Sequence, residues 1–267
     1  LVFPAKDMQA SEGVAGQIAD GTSTRYVNDF GIEYNQIVGK SLIGALMTDQ
    51  ILNNYLSPAV LDEADNRSQN DADMTADGKN YTMMEHKWDE AFGYLYGTSA
   101  TPATANLTIG EADNFLNKYV GRVEDDSDFA GISDDIFEAF KTGRAAIVAG
   151  GYEARDEQAN IIKEKISMVI AIRAVYYLQA GKTGVENGAE PGTIFHDLSE
   201  GLGFVNSLQF TRKPNSDESY FTKAEVDGYF SEIIGDINGL WNVDVQVLED
   251  VSQEIAEQFD FTVEQAR

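Results

Sequence analysis

Apolar residues along this chain recur at spacings of three and four rather than two, the pattern of helices with one buried face. Between residues 26 and 56, Val38, Leu42, Ala45, Leu46, Leu52, Tyr55 and Leu56 share such a stripe, which predicts a first long helix that stops before Pro58. Gly31, Gly39 and Gly44 lie in that stretch. Each weakens a helix by about 1 kcal/mol relative to Ala, so their presence points to a close approach of another helix. Residues 57–80 read as a polar loop. Thr82-Met83-Met84-Glu85 is a capping box that starts a helix running to Tyr96. Thr108-Ile109-Gly110-Glu111 matches the same box and predicts a helix to Val120, followed by an acidic loop over 121–131. Ser133 is expected to cap a helix to Ala149, with Ile136, Phe137, Phe140 and Ile147 inward.

A second long helix is predicted over 153–180 from Ile162, Ile166, Val169, Ile170, Tyr177 and Leu178. Gly181, Gly184, Gly188 and Pro191-Gly192 read as the loop after it. Thr193 is expected to cap a helix to Phe210, Thr222-Lys223-Ala224-Glu225 to cap the next, and a last helix covers 244–259. Residues 1–25 read as a loosely ordered lead-in. No sustained period-two alternation and no Asn-Gly hairpin appears, so strands are not expected.

The chain is organised around a repeated motif. Glu85–Tyr94 reads Glu-His-Lys-Trp-Asp-Glu-Ala-Phe-Gly-Tyr, and Phe195–Phe204 reads Phe-His-Asp-Leu-Ser-Glu-Gly-Leu-Gly-Phe. Both contain His-x-x-x-Glu-x-x-Gly-aromatic, and the chain's 2 histidines are these two. One offset of 110 residues relates His86 to His196, Glu90 to Glu200 and Gly93 to Gly203. Each motif follows a long helix ending Tyr-Leu, at Tyr55-Leu56 and Tyr177-Leu178. The expected fold is therefore all-α: duplicated helical bundles, with pseudo-symmetric repeats over 26–150 and 151–267 forming one compact unit.

Composition narrows the partners. The 267 residues carry 45 acids against 19 bases, a net charge of −26. Phosphate backbones need a basic footprint, so nucleic acid is not an expected partner. The acidic surface also disfavours anionic membranes and is compatible with cation binding. With no cysteine, disulfides and cysteine-ligated metals are excluded. No apolar run reaches the roughly 18–20 residues of a membrane span. The chain opens at Leu1 rather than at methionine. The expectation is that a signal segment, and any lipid-anchor cysteine, has been removed.

Residues four apart share a helix face. His86 therefore points with Glu90, and His196 with Glu200; Asp89 joins the first pair, where Ser199 holds the matching place in the second. A histidine in the first helical turn is favoured as neutral imidazole, the form that binds metal. His86, Glu90, His196 and Glu200, with Asp89 as a further ligand, are thus a candidate divalent-metal site for iron, zinc or manganese. The competing reading is that each Glu orients its His and the pair locks helix packing. Asp71-x-Asp73-x-Thr75-x-Asp77-Gly78 has alternating oxygen donors but fails the EF-hand calcium pattern. No nucleophile elbow, P-loop, dinucleotide fingerprint or zinc-protease helix occurs.

The runs 85–94 and 195–204, with Gly143-Arg144-Ala145-Ala146-Ile147 between them, resemble an uncharacterised family of bacterial envelope lipoproteins related to the imelysin-like proteins. That resemblance implies an all-helical pair of bundles, export to the periplasm or cell surface, attachment to the membrane only through a lipid anchor, and a link to iron uptake. The imelysin motif is usually given as Gly-x-His-x-x-Glu. Here Met84 and Ile194 stand where it has glycine, and Asp89 and Ser199 where it has glutamate, so no catalytic residue is carried over. The expected function is that of an exported, envelope-anchored, non-enzymatic binding protein for a metal, an iron compound or an envelope partner. A metal-dependent peptidase of imelysin type and a purely structural interaction module are the alternatives.

Overall fold

The computed structural model describes residues 3–235 and 237–267. Ten α-helices are formed among the described residues. They are α1 (Tyr34–Leu42), α2 (Pro58–Leu61), α3 (Asn66–Asp71), α4 (Met83–Tyr96), α5 (Leu116–Glu124), α6 (Ile132–Val148), α7 (Tyr152–Glu186), α8 (Pro191–Ser207), α9 (Lys223–Ile234) and α10 (Val245–Glu257). The protein is mostly helical, as expected, but not wholly so. Residues 16–27, read as lead-in and helix start, form an antiparallel hairpin of β1 (Gly16–Asp20) and β2 (Ser23–Val27), with Gly16 opposite Val27 and Asp20 opposite Ser23. Gly21 turns the chain at φ +54°, a region where glycine carries no steric penalty.

Two compact units are built from interleaved stretches: Leu1–Gly44, Ile170–Gln209 and Phe221–Arg267 in the first, Ala45–Val169 and Phe210–Tyr220 in the second. The expected repeats, 26–150 and 151–267, are stretches of sequence, and each contributes chain to both units.

In the first unit the hairpin and α1 lie against α8. The expected helix of 26–56 begins only at Tyr34, because Val27 is used by the strand ladder and Asn28 closes the turn behind it. The Asn28 side-chain oxygen accepts from the backbone N–H groups of Phe30 and Ile32 at 3.0 and 2.8 Å. α1 and α8 approach closely through small residues. A Cβ on Gly203 would lie 2.8 Å from the Ile37 carbonyl oxygen, and one on Gly44 would lie 2.5 Å from Ser207 Cβ. The Ser207 hydroxyl accepts from Gly44 N–H at 3.2 Å and sits within hydrogen-bond distance of the carbonyl oxygens of Lys40 and Gly203. Gly181 and Gly184, expected in a loop, are instead inside α7 and make room for Leu198 and Ile194 of α8.

In the second unit α4 packs on α6, α3 and the segment after α1. That segment is π-helical over Ile43–Thr48 and Gln50–Tyr55. Extra residues per turn rotate the stripe away from the 3.6 period. Leu46, inside this segment, is 55% exposed, and Val38 and Leu42, in the regular α1 before it, are 53% and 41% exposed although all three were expected inward, while Ile51, Leu52 and Leu56 are fully buried. The capping box expected at Thr108 does not form. Pro102–Thr108 is a 3-10 helix, Gly110 takes φ +86°, and α5 starts at Leu116. Ser133 does not cap α6 either: the Glu124 carboxylate accepts from Gly131 and Ser133 N–H at 2.9 and 2.8 Å, placing negative charge at the helix N-terminus. The boxes at Thr82 and Thr222 both form as expected.

Candidate functional site

The first motif sits on α4. Thr82 Oγ1 accepts from Glu85 N–H, and Glu85 Oε2 accepts from Thr82 N–H at 2.6 Å, which fixes the helix start. Trp88, Phe92 and Tyr96, each four residues from the last, then fall on one face. The Trp88 indole N–H donates to the Phe140 carbonyl oxygen at 2.9 Å. The Phe92 ring centroid lies 4.7 Å from Tyr96, stacked, and 5.6 Å from Phe140, edge to face. These rings, with Phe137, line a cavity of about 660 Å³. This volume falls in the range of sites for small organic ligands, which are concave and largely apolar.

Four polar side chains also line the cavity: Asp89, Ser99, Lys141 and Arg144. Arg144 bridges two carboxylates of α4, donating to Glu85 Oε1 at 2.7 Å and Asp89 Oδ1 at 2.9 Å. Burial would raise the Glu85 carboxyl, but the Thr82 N–H and Arg144 outweigh it and hold it below its ordinary value. At Asp89 burial prevails over Arg144 and pushes the carboxyl up. Its side chain keeps half its surface exposed, so the push is modest. Lys141 pairs with Glu138 at 2.7 Å. The Ser99 hydroxyl oxygen is buried and has no hydrogen-bond partner. Gly93 forms part of the wall, and a Cβ there would meet nothing within 4 Å.

His86 and Glu90 share a face as expected, with Nε2 3.4 Å from Glu90 Oε1. The pair is partly exposed and does not line the cavity; the imidazole stacks on Tyr81 at 4.9 Å between centroids. His196 and Glu200 also meet, at 3.6 Å, but in a different setting within the first unit. His196 Nδ1 lies 2.8 Å from Glu33 Oε2, the other Glu33 oxygen is 3.8 Å from Arg25, and Glu200 takes Lys40 at 3.1 Å. Ser199, the counterpart of Asp89, accepts from Glu33 N–H at 2.9 Å and is fully buried.

As metal sites, the two pairs offer a His with carboxylates that are partly engaged: Asp89 by Arg144, Glu200 by Lys40. Among the described residues no group of three or more His, Cys, Asp or Glu is placed to hold a metal ion. In the 57–80 stretch, Asp71 accepts from the Tyr152 hydroxyl at 2.6 Å.

Residues 1–262 match the family model described as Domain of unknown function (DUF4856). The chain belongs to the DUF4856 family. No curated protein and no solved structure matches it. Membership agrees with the expectation of an uncharacterised family and adds no imelysin kinship. No helix among the described residues of this DUF4856 chain is long and apolar enough to cross a membrane.

The sequence reading of the DUF4856 chain missed the cavity, although the series Trp88-Phe92-Tyr96 was a visible signal for it. It also missed Glu33, which stands 163 residues from His196 and carries no local signature.

Proposed function

We propose that this protein is a non-enzymatic binding protein whose second unit takes a planar, largely apolar small molecule into the cavity beside α4. The observation that carries this reading is the ring lining of the cavity, where Trp88, Phe92, Tyr96, Phe137 and Phe140 come together around about 660 Å³. Trp88, Phe92, Tyr96 and Phe140 supply ring faces and edges for stacking.

The duplication belongs to the same proposal. It is supported by the common offset of the two motifs and by their placement on α4 and α8. On this view the copies diverged at the motif glycine: Gly203 admits α1, whereas Gly93 leaves the cavity open. Export, envelope anchoring and kinship with imelysin-like proteins also remain proposals, resting on the sequence runs that resemble that family. A role in metal or iron acquisition would draw on His86 with Glu90, or on His196 with Glu200, and elemental analysis of the purified protein tests it.

The cavity is tested with Nile red, a neutral planar dye with a carbonyl acceptor. Saturable binding to the folded protein is expected, and Gly93→Phe, which fills the cavity from an open position, should abolish it. Equal binding by Gly93→Phe would sink the proposal.

A further inference from the structure

A second cleft in the same unit surrounds a buried lysine. Lys163, in α7, is only 4% exposed. Among the described residues no carboxylate comes within ion-pair distance of its ammonium group; Asp217 and Asp156 act on it only from farther away, as does Arg212. The ammonium borders a cleft of about 350 Å³ walled by Leu56 and Pro58 on the apolar side and by Asp156, Asn160, Ser216 and Asp217 on the polar side.

The wall is built rather than loose. Asn160 and Asn215 exchange two hydrogen bonds, side-chain amide to side-chain oxygen and backbone N–H to side-chain oxygen, both 2.9 Å. Asn215 holds φ +55°, a conformation asparagine tolerates better than most residues. Asp156 is tied to Arg155 at 2.8 Å, and the Arg212 guanidinium is held by the Asn53 side chain. Asp217 is exposed and makes no ion pair among the described residues.

An ammonium group largely removed from water and given no directly paired carboxylate is costly. Burial accordingly pushes the Lys163 amine's pKa down. The cleft therefore presents one buried ammonium group without an ion-pair partner and one exposed carboxylate, Asp217, that makes no ion pair among the described residues. A ligand carrying only negative charge would meet Asp217, and one carrying only positive charge would meet Lys163. A molecule with both groups suits both ends.

We propose that the Lys163 cleft binds a small zwitterion of the free amino-acid type, its carboxylate on Lys163 and its ammonium group on Asp217.

Calorimetric titration of the full chain with L-alanine, acetate and methylammonium tests this. Alanine should bind saturably, acetate about tenfold or more weaker, and methylammonium not at all. Lys163→Met, which keeps the buried stem and removes the charge, should lose alanine binding while remaining folded by circular dichroism. Asp217→Asn, on an exposed loop, should weaken alanine about tenfold and leave acetate binding no weaker than before, so the proposal stays testable even if the Lys163 variant fails to fold. Absence of alanine binding, or alanine binding unchanged in either variant, overturns it. Acetate binding as tightly as alanine would mark a plain anion site and overturn it equally.

Discussion

The Trp88 indole occupies the space that a side chain at Gly143 would need: a Cβ there would lie 2.1 Å from Cζ2 and 2.4 Å from Cη2. Trp88 is 1% exposed and pinned by its bond to Phe140, so yielding would break that bond. Gly143→Ala should therefore destabilise the protein by about 1–3 kcal/mol, the usual range for overpacking. Denaturant unfolding followed by Trp88 fluorescence checks this, and a neutral result would show that the indole can relocate. A further Trp88→Phe change should recover part of the loss.

The two motif glycines should respond with opposite signs. Gly93→Ala adds a methyl group to open space inside α4 and should stabilise by up to about 1 kcal/mol through helix propensity. Gly203→Ala brings a methyl group to 2.5 Å from Lys40 Cβ and 2.8 Å from the Ile37 carbonyl oxygen, so it should destabilise by about 1–3 kcal/mol. Melting temperatures of the two variants should lie on either side of the parent.

The two histidines should also separate. His86 is partly exposed beside an exposed Glu90, and such pairs contribute at most about 1 kcal/mol. His196→Ala leaves Glu33, whose side chain is 4% exposed, with only the distant Arg25, and should cost about 2–4 kcal/mol. Equal losses of stability would contradict the packing role assigned to the second motif.

Acid should attack the second unit through Asp62. Burial raises this carboxyl, but bonds from the fully buried Arg155 at 2.6 Å and from Arg67 at 2.7 Å more than offset it and hold it at about 2. A folded pKa below the unfolded one gives stability that is present above roughly pH 4 and lost as pH falls towards 2. The amount is on the order of 2 kcal/mol. Asp62→Asn should flatten the pH dependence in that window. It should also destabilise at pH 7, because Arg155 then keeps only Asp156 as counter-charge.

Features legible in the sequence were those fixed by neighbours a few residues apart. The boxes at Thr82 and Thr222 need only residue i and i+3, and both form. The pairing of His86 with Glu90 and of His196 with Glu200 follows from one helical turn. Gly143-Arg144 was visible as a run, yet its purpose was not, since Gly143 is shaped by Trp88 and Arg144 by Glu85 and Asp89, more than fifty residues away. Gly21-Thr22, a two-residue loop that opens on glycine, was an available hairpin signal that an Asn-Gly search passes over. The stripe from Val38 to Leu56 misled because the chain winds as an α-helix to Leu42 and as a π-helix after it, so positions on either side of Ile43 do not share one 3.6-residue face.

The interleaving of the units sets an order on the chain's birth. All of the second unit has been synthesised once Tyr220 has left the ribosome, with the aromatic cavity and the Lys163 cleft included. The first unit must wait for its closing stretch, Phe221–Arg267, although its hairpin is made before any of the second unit. Folding during translation thus favours completing first the half that holds the cavity and the cleft. No single proteolytic cut can part the two halves cleanly, because the backbone passes between them at four places.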